Sequence, residues 1–268
     1  MTTCLFQHCI DARQPPPKLS VLGGIGFGFP NTRVDNGTGG TLLRVAAPVL
    51  GNSCLPATIQ LLTDATIAHE QFDIISTART AELLFGALVL DESAMDGDLK
   101  QATLHAYSHI FSTLDRLGYP ILQRVWHFLP AINQHTRGQE RYRQFNAGRQ
   151  QAFLTGMRPV IGNVPPASAV GTAAGALAIA FVAGKRSFVP IESPRQISAY
   201  RYPPQYGACS PVFSRAGLMT VCNRQTLLVS GTAAITGHRS VHPGDIVAQT
   251  RETMANLRAI VASANQRV

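Results

Sequence analysis

Three tyrosines, Tyr200, Tyr202 and Tyr206, crowd around Arg201 in the stretch PRQISAYRYPPQYGACSPVFSRAG, Pro194 to Gly217. Arg195 precedes them, and Phe213 and Arg215 follow. Phenol hydroxyls donate and accept hydrogen bonds, and a guanidinium presents a planar fork that matches a carboxylate. Pro203-Pro204 stiffens the chain between the rings. Such a rigid, acid-poor loop can wall a pocket for a small organic acid. It can equally be a surface loop whose rings pack on a sheet, and residue types alone leave both readings open.

Other chemistry-bearing residues argue less. His105 and His109 in HAYSH lie four apart, as helical metal ligands can, but the glutamate of the HEXXH motif is absent, which favours a plain helix-face pair. His238 and His242 in GHRSVHPGD flank a turn and read as loop histidines. The glycines of GGIGFGF, Gly23 to Phe29, lack dinucleotide-binding spacing and read as a strand in close backbone contact. Ser230 in VSGTA lacks the glycines of a nucleophile elbow; it is either a ligand contact or a small residue where a strand end meets another backbone. No phosphate-binding loop is present, and the five cysteines match no zinc spacing, so neither a metal nor a cofactor is expected.

These residues need elements to hold them. Strand-like runs cover Leu19 to Phe29, Leu42 to Leu50, Thr58 to Leu62, Leu83 to Leu90, Ile121 to Ile132 and Ala176 to Val182. Residues 1–18 read as irregular, with a stop at Pro15-Pro16-Pro17. Asp98 caps a long helix that ends at Gly118, and Gln139 to Leu154 forms a second helix with its arginines on the wet side. Thr226 to Ile235 reads as a buried strand, and Asp245 caps a further helix.

The chain has 268 residues, 45% of them apolar and only 14% charged, which excludes a disordered chain and allows a substantial core. Its formal charge is +8, carried mostly by arginine, which admits an anionic small molecule or a nucleic acid as partner. The longest apolar stretch, Ala173 to Gly184, is too short to span a bilayer, so no membrane partner is expected. With no signal-peptide pattern and an odd number of cysteines, free thiols and a cytoplasmic setting are expected.

Gly97-Asp98 and Gly244-Asp245 stand 147 positions apart, as do Thr103 and Thr250. A fixed offset argues for two copies of one unit. After its long helix the first copy continues through a strand, a helix and a final strand, whereas the second has only its helix. The second unit is therefore expected to be incomplete.

The run SPRQISAYRYPPQYG…SPVFSRA, followed by LLVSGTAAITGHRSVHPGDIVAQTRETMANL, resembles the chorismatase family. Members are also labelled pteridine-dependent deoxygenase-like, and their fold resembles RidA/YjgF. The resemblance implies an α+β fold of two RidA/YjgF-like units, each a mixed sheet with helices on one face. It divides the chain into an irregular N-terminus (1–18), a first RidA-like domain (19–185) and a partial second one (186–268). It implies a small dicarboxylate, chorismate, as substrate. The reaction would cleave its enolpyruvyl ether with release of pyruvate, giving a hydroxybenzoate or a dihydroxycyclohexadiene carboxylate. Substrate contacts are expected from Tyr200, Tyr206, Arg215, Ser230, Gly231 and Thr232. The family's catalytic glutamate falls beyond Val268, so the chain as given is expected to bind substrate without turning it over. Two other classes stand beside this reading: a non-catalytic remnant, and a RidA-like small-anion or RNA-binding module.

Overall fold

The computed structural model describes residues 4–10, 18–37, 40–49, 57–221 and 224–267. Pro15, Pro16, Pro17, Leu50, Cys54 and Cys222 lie outside them. The chain opens with a five-stranded sheet built from β1 (Cys4–Ile10), β2 (Ser20–Phe27), β3 (Arg33–Gly37), β4 (Gly40–Val45) and β5 (Ala57–Thr63). Its order is β1-β5-β2-β4-β3, with β2 and β4 parallel. The N-terminus expected to be irregular therefore holds a strand, because β1 pairs along its whole length with β5. Long-range pairing decided what the local sequence left unmarked.

The next element pair is the hairpin of β6 (Ala68–Phe72) and β7 (Ile75–Arg79), followed by β8 (Leu83–Leu90), helix α1 (Leu99–Leu117) and β9 (Ile121–Pro130). A small hairpin, β10 (His135–Thr136) and β11 (Gln139–Glu140), leads into α2 (Arg141–Thr155), β12 (Ala167–Thr172) and β13 (Leu177–Gly184). These strands form a six-stranded sheet in the order β12-β9-β13-β8-β7-β6, with β12 parallel to β9. One face carries α1 and α2 over a core that includes Leu84, Ile110, Phe145 and Phe153. The opposite face packs on the first sheet through Leu22, Ile25, Phe85, Phe128 and Val182. Buried on both faces, β8 and β13 need the continuous apolar runs seen in the sequence. Residues 19–185, expected as one RidA-like unit, thus fold as two layers: the β6–β13 unit and a separate sheet behind it.

The two helices touch at Gly148, where an added Cβ would stand 2.2 Å from the Lys100 carbonyl oxygen. That approach brings α2, and Arg149 beside the glycine, tight against α1.

The remaining chain forms β14 (Val189–Ile191), β15 (Ala216–Val221) and β16 (Arg224–Val229), a small hairpin of β17 (Ile235–Thr236) and β18 (Arg239–Ser240), and α3 (Ile246–Asn265). The order β14-β15-β16-α3 repeats β6-β7-β8-α1, and the equivalence extends to single atoms. Gly97 and Gly244 both take positive φ (69° and 83°) before the caps Asp98 and Asp245. The Thr103 hydroxyl donates to the Leu99 carbonyl and that of Thr250 to Ile246, each at 2.7 Å. The strand expected over Thr226 to Ile235 ends at Val229: the Ser230 amide still bonds the Arg215 carbonyl, and from Gly231 the backbone turns to bond β12. Among the described residues, β16 is paired on one side only. On α3, Val247, Met254 and Val261, spaced by seven, are exposed. Among the described residues no helix is long and apolar enough to cross a membrane.

Candidate functional site

A cavity of about 470 Å³ lies where the β6–β13 unit meets the β14–α3 segment. That volume falls in the range of about 300–1,000 Å³ typical of small-molecule sites. Five segments wall it. From α2 come Tyr142, Phe145, Asn146 and Arg149, positions i, i+3, i+4 and i+7 on one helical face. From β12 come Ala167 to Val170, and from β9 comes His127. The Tyr/Arg-rich loop supplies Tyr202, Tyr206, Phe213 and Arg215. The chain after β16 supplies Gly231, Thr232 and Ala233.

The joint between the two segments is sewn by Ser230. Its hydroxyl donates to the Ser214 carbonyl at 2.6 Å and accepts from the Ala167 amide at 2.8 Å. Next to it the Gly231 amide donates to the Ala167 carbonyl at 3.1 Å. An added Cβ on Gly231 would lie 3.2 Å from Ser168 Oγ, so the glycine lets the strand end sit against β12.

Two buried guanidiniums dominate the site. Arg149 is 2% exposed; its Nε donates to Tyr107 Oη at 2.7 Å and its Nη1 to the Val212 carbonyl. Its Nη2 is buried with no hydrogen-bond partner among the described residues. Arg215, also 2% exposed, donates from Nη2 to the Ile197 carbonyl at 2.8 Å and to Tyr202 Oη at 2.9 Å, while its Nε has no partner. Among the described residues neither has a carboxylate within 4.0 Å. A buried cation without a counter-ion is costly unless an anion completes it. A third arginine, Arg124, donates to Ser168 Oγ at 2.5 Å and stacks on Trp126; burial, then the nearby Arg149, lowers its pKa to about 9, so it stays cationic at neutral pH.

His127 is buried at the floor. Burial, followed by the charge of Arg149, holds its pKa well below the usual value. Burial raises the phenols of Tyr107 and Tyr142. Near Arg215, burial also raises the Glu192 carboxyl, against the pull of the Ser198 hydroxyl and the Arg215 charge. Glu140 is the carboxyl group among the cavity-lining residues, 3.4 Å from Arg143. Among the described residues, no cluster of three or more His, Cys, Asp or Glu side chains is placed to hold a metal ion.

Of the residues singled out from the sequence, Tyr206, Arg215, Gly231 and Thr232 line this cavity, and Thr232 Oγ1 is buried without a partner. Tyr200 and Ser230 do not line it. Tyr200 packs against the helix-side core, and the Ser230 hydroxyl is spent on the two backbone groups it joins. The arginines of α2 were expected on its wet side. Arg141 and Arg149 are instead buried, Arg141 on Glu92 and Arg149 at the cavity. The i, i+3, i+4, i+7 stripe from Tyr142 to Arg149 was the available signal, masked because it mixes rings with polar groups. The loop histidine His238 meets Tyr206 Oη through Nδ1 at 2.9 Å. His105 and His109 meet edge to face on α1, with His109 bonded to Asp73 at 2.7 Å.

Residues 60–183 match the family model described as Chorismatase FkbO/Hyg5-like, N-terminal. A 3-hydroxybenzoate synthase of Streptomyces hygroscopicus is 31% identical over 98% of this chain and 77% of its own length. The chain belongs to the chorismatase family. A chorismatase from the same organism is 35% identical over 72% of this chain, and the match spans 56% of that relative's length. A chorismatase crystal structure superposes over 100% of this chain and 79% of its own, with a TM-score of 0.87 and 30% identity. The α+β, RidA-like architecture is thus that of a solved chorismatase.

Proposed function

We propose that the cavity binds chorismate, and that the chain serves chemistry in which the enolpyruvyl ether of chorismate is cleaved with release of pyruvate. The observation that carries this reading is the pair Arg149 and Arg215, both buried, both lining one cavity, and neither paired with a carboxylate. Chorismate has two carboxylates, and a dicarboxylate would give each guanidinium the direct carboxylate contact it lacks. Tyr206 and Thr232 add hydrogen-bonding groups at the wall. The names of the relatives, chorismatase and 3-hydroxybenzoate synthase, support the same substrate class.

The chemistry requires a proton on the methylene carbon of the enol ether. The resulting oxocarbenium ion collapses as the ether bond breaks. With loss of a ring proton the products are pyruvate and a hydroxybenzoate; with addition of water they are pyruvate and a dihydroxycyclohexadiene carboxylate. The arginines hold the carboxylates and fix the ether relative to the walls. Proton delivery calls for a well-placed acid. Glu140, engaged with Arg143, is the carboxyl group in reach among the described cavity residues.

Titration calorimetry with chorismate, paired with a coupled assay for pyruvate, tests this. Saturable binding is expected, and Arg215→Ala should weaken it by about 2 kcal/mol or more, the scale for removing one member of a buried charged contact. Binding without pyruvate release means that the described cavity holds substrate but supplies no effective acid. Pyruvate release abolished by Glu140→Gln assigns the acid. No binding of chorismate by the wild-type chain overturns the proposal.

A further inference from the structure

Resting on the reading of the cavity as a chorismate site, we propose that Tyr107 and His127 are positioning residues that hold the Arg149 guanidinium through a one-way chain of hydrogen bonds anchored on β12. Neither belongs to the Tyr/Arg-rich loop, and Tyr107 does not line the cavity.

The direction of every proton in the chain follows from geometry. His127 Nδ1 lies 2.6 Å from the Ser168 carbonyl oxygen. A carbonyl only accepts, so Nδ1 carries a hydrogen. His127 Nε2 lies 2.6 Å from Tyr107 Oη. In a neutral imidazole with Nδ1 protonated, Nε2 is an acceptor, so the tyrosine hydroxyl donates to it. The phenol oxygen is then left to accept, and it receives Arg149 Nε–H at 2.7 Å. The chain runs from α2 through α1 and β9 to the β12 backbone, and no member can reverse.

Burial supports the neutral ring. His127 is 1% exposed and its pKa is held low by burial, with Arg149 and Arg124 adding to the effect. A protonated His127 would donate from both nitrogens, and the Tyr107 hydroxyl hydrogen would lose its acceptor.

A purely structural role accounts poorly for this arrangement. The surroundings are aromatic: Phe111 and Phe153 lie against Tyr107, and Phe145 lies against His127, at centroid distances of 4.8 to 5.6 Å. Apolar residues would fill that space without the desolvation cost of three polar groups. The network is satisfied only because it ends on a guanidinium, which it fixes on one side while the Val212 carbonyl fixes the other. Tyr107 and Phe153 also stack under that guanidinium, at 5.3 and 5.1 Å. Arg149 is thereby pre-set at the cavity wall, and a ligand carboxylate need not order it.

Tyr107→Phe keeps the ring and its stacking and deletes only the hydroxyl. Chorismate affinity should fall about tenfold or more, as expected when a hydrogen bond to a charged group is lost. Destabilisation alone could mimic this, so Ile110→Val, a core change on α1 outside the chain, serves as control and should leave affinity unchanged. In an Arg149→Ala background, Tyr107→Phe should cause no further loss of affinity. Additive losses in that cycle, or a Tyr107→Phe protein with wild-type affinity, overturn the proposal. Nitrogen NMR separates this outcome from failure of the functional reading. Wild-type His127 should show a pyrrole-like Nδ1 and a pyridine-like Nε2, and the Arg149 Nε proton should exchange slowly and speed up in Tyr107→Phe. If chorismate does not bind at all, the functional reading fails, and the Arg149 exchange rate still decides: no change between wild type and Tyr107→Phe sinks the positioning role.

Discussion

At the scale of single residues, the buried histidine makes folding depend on pH in a defined direction. The pKa of His127 lies well below 6.5 in the folded protein, and the unfolded chain recovers the ordinary value near 6.5. Below that pH the unfolded state binds a proton that the native state refuses. The stability linked to His127 is therefore complete above about pH 6.5 and is lost as pH falls, by at most about 1.4 kcal/mol per pH unit. Urea midpoints measured between pH 7.5 and 5 should decline for the wild-type chain and decline less for His127→Gln; parallel curves would contradict the assignment. The loop residues Tyr206 and Arg215 were legible in the sequence, because rings and guanidiniums are concentrated there without acids. Arg149 and His127 were not, because a polar side chain in a helix or strand is placed outside by default. What buries them is a cavity assembled from five separate segments, which no local pattern encodes.

Among the elements, the long helices were readable from their ends. Asp98 accepts from the Gln101 amide, Gly118 closes α1 with φ of 75°, and Asp245 accepts from the Val247 and Ala248 amides. Apolar strands such as β8 and β13 were equally plain. β1, β3, β6, β7 and β12 were not: β3, β6 and β7 are short hairpin strands without an apolar run, and β1 and β12 owe their state to partners far along the chain. The joint between β12 and the chain after β16 depends on one hydroxyl. Ser230→Ala would leave the buried Ala167 amide without its side-chain partner, at a cost of about 1–3 kcal/mol. The expected outcome is a lower melting temperature together with faster amide exchange at Ala167 and Gly231. Unchanged exchange at both amides would show that the strand pairing alone holds the joint.

For the molecule as a whole, the repeat is the dominant fact, and its two copies differ in how they are covered. In the first, β8 lies between β7 and β13, and α1 is packed by α2. In the second, the described residues give β16 one neighbour, and Val247, Met254 and Val261 on α3 face outward. An open strand edge beside apolar helix residues recruits other chains. The 268-residue chain should therefore self-associate with rising concentration, as followed by sedimentation velocity. Thr226→Lys, which sets a charge on that edge, should shift it toward monomer. A wild-type monomer across the concentration range would mean that the edge is protected within the chain.

The double engagement of Arg149 carries a last consequence. The same guanidinium clasps Tyr107 of α1 and the Val212 carbonyl of the loop before β15, so it fastens the two halves of the protein while lining their shared cavity. Affinity and robustness are then not separately adjustable at this position. Substitutions at Arg149 would lower the melting temperature together with affinity, and changes of ligand preference at unchanged stability would have to come from Tyr206, Thr232 or Phe213, whose side chains carry no part of that clasp.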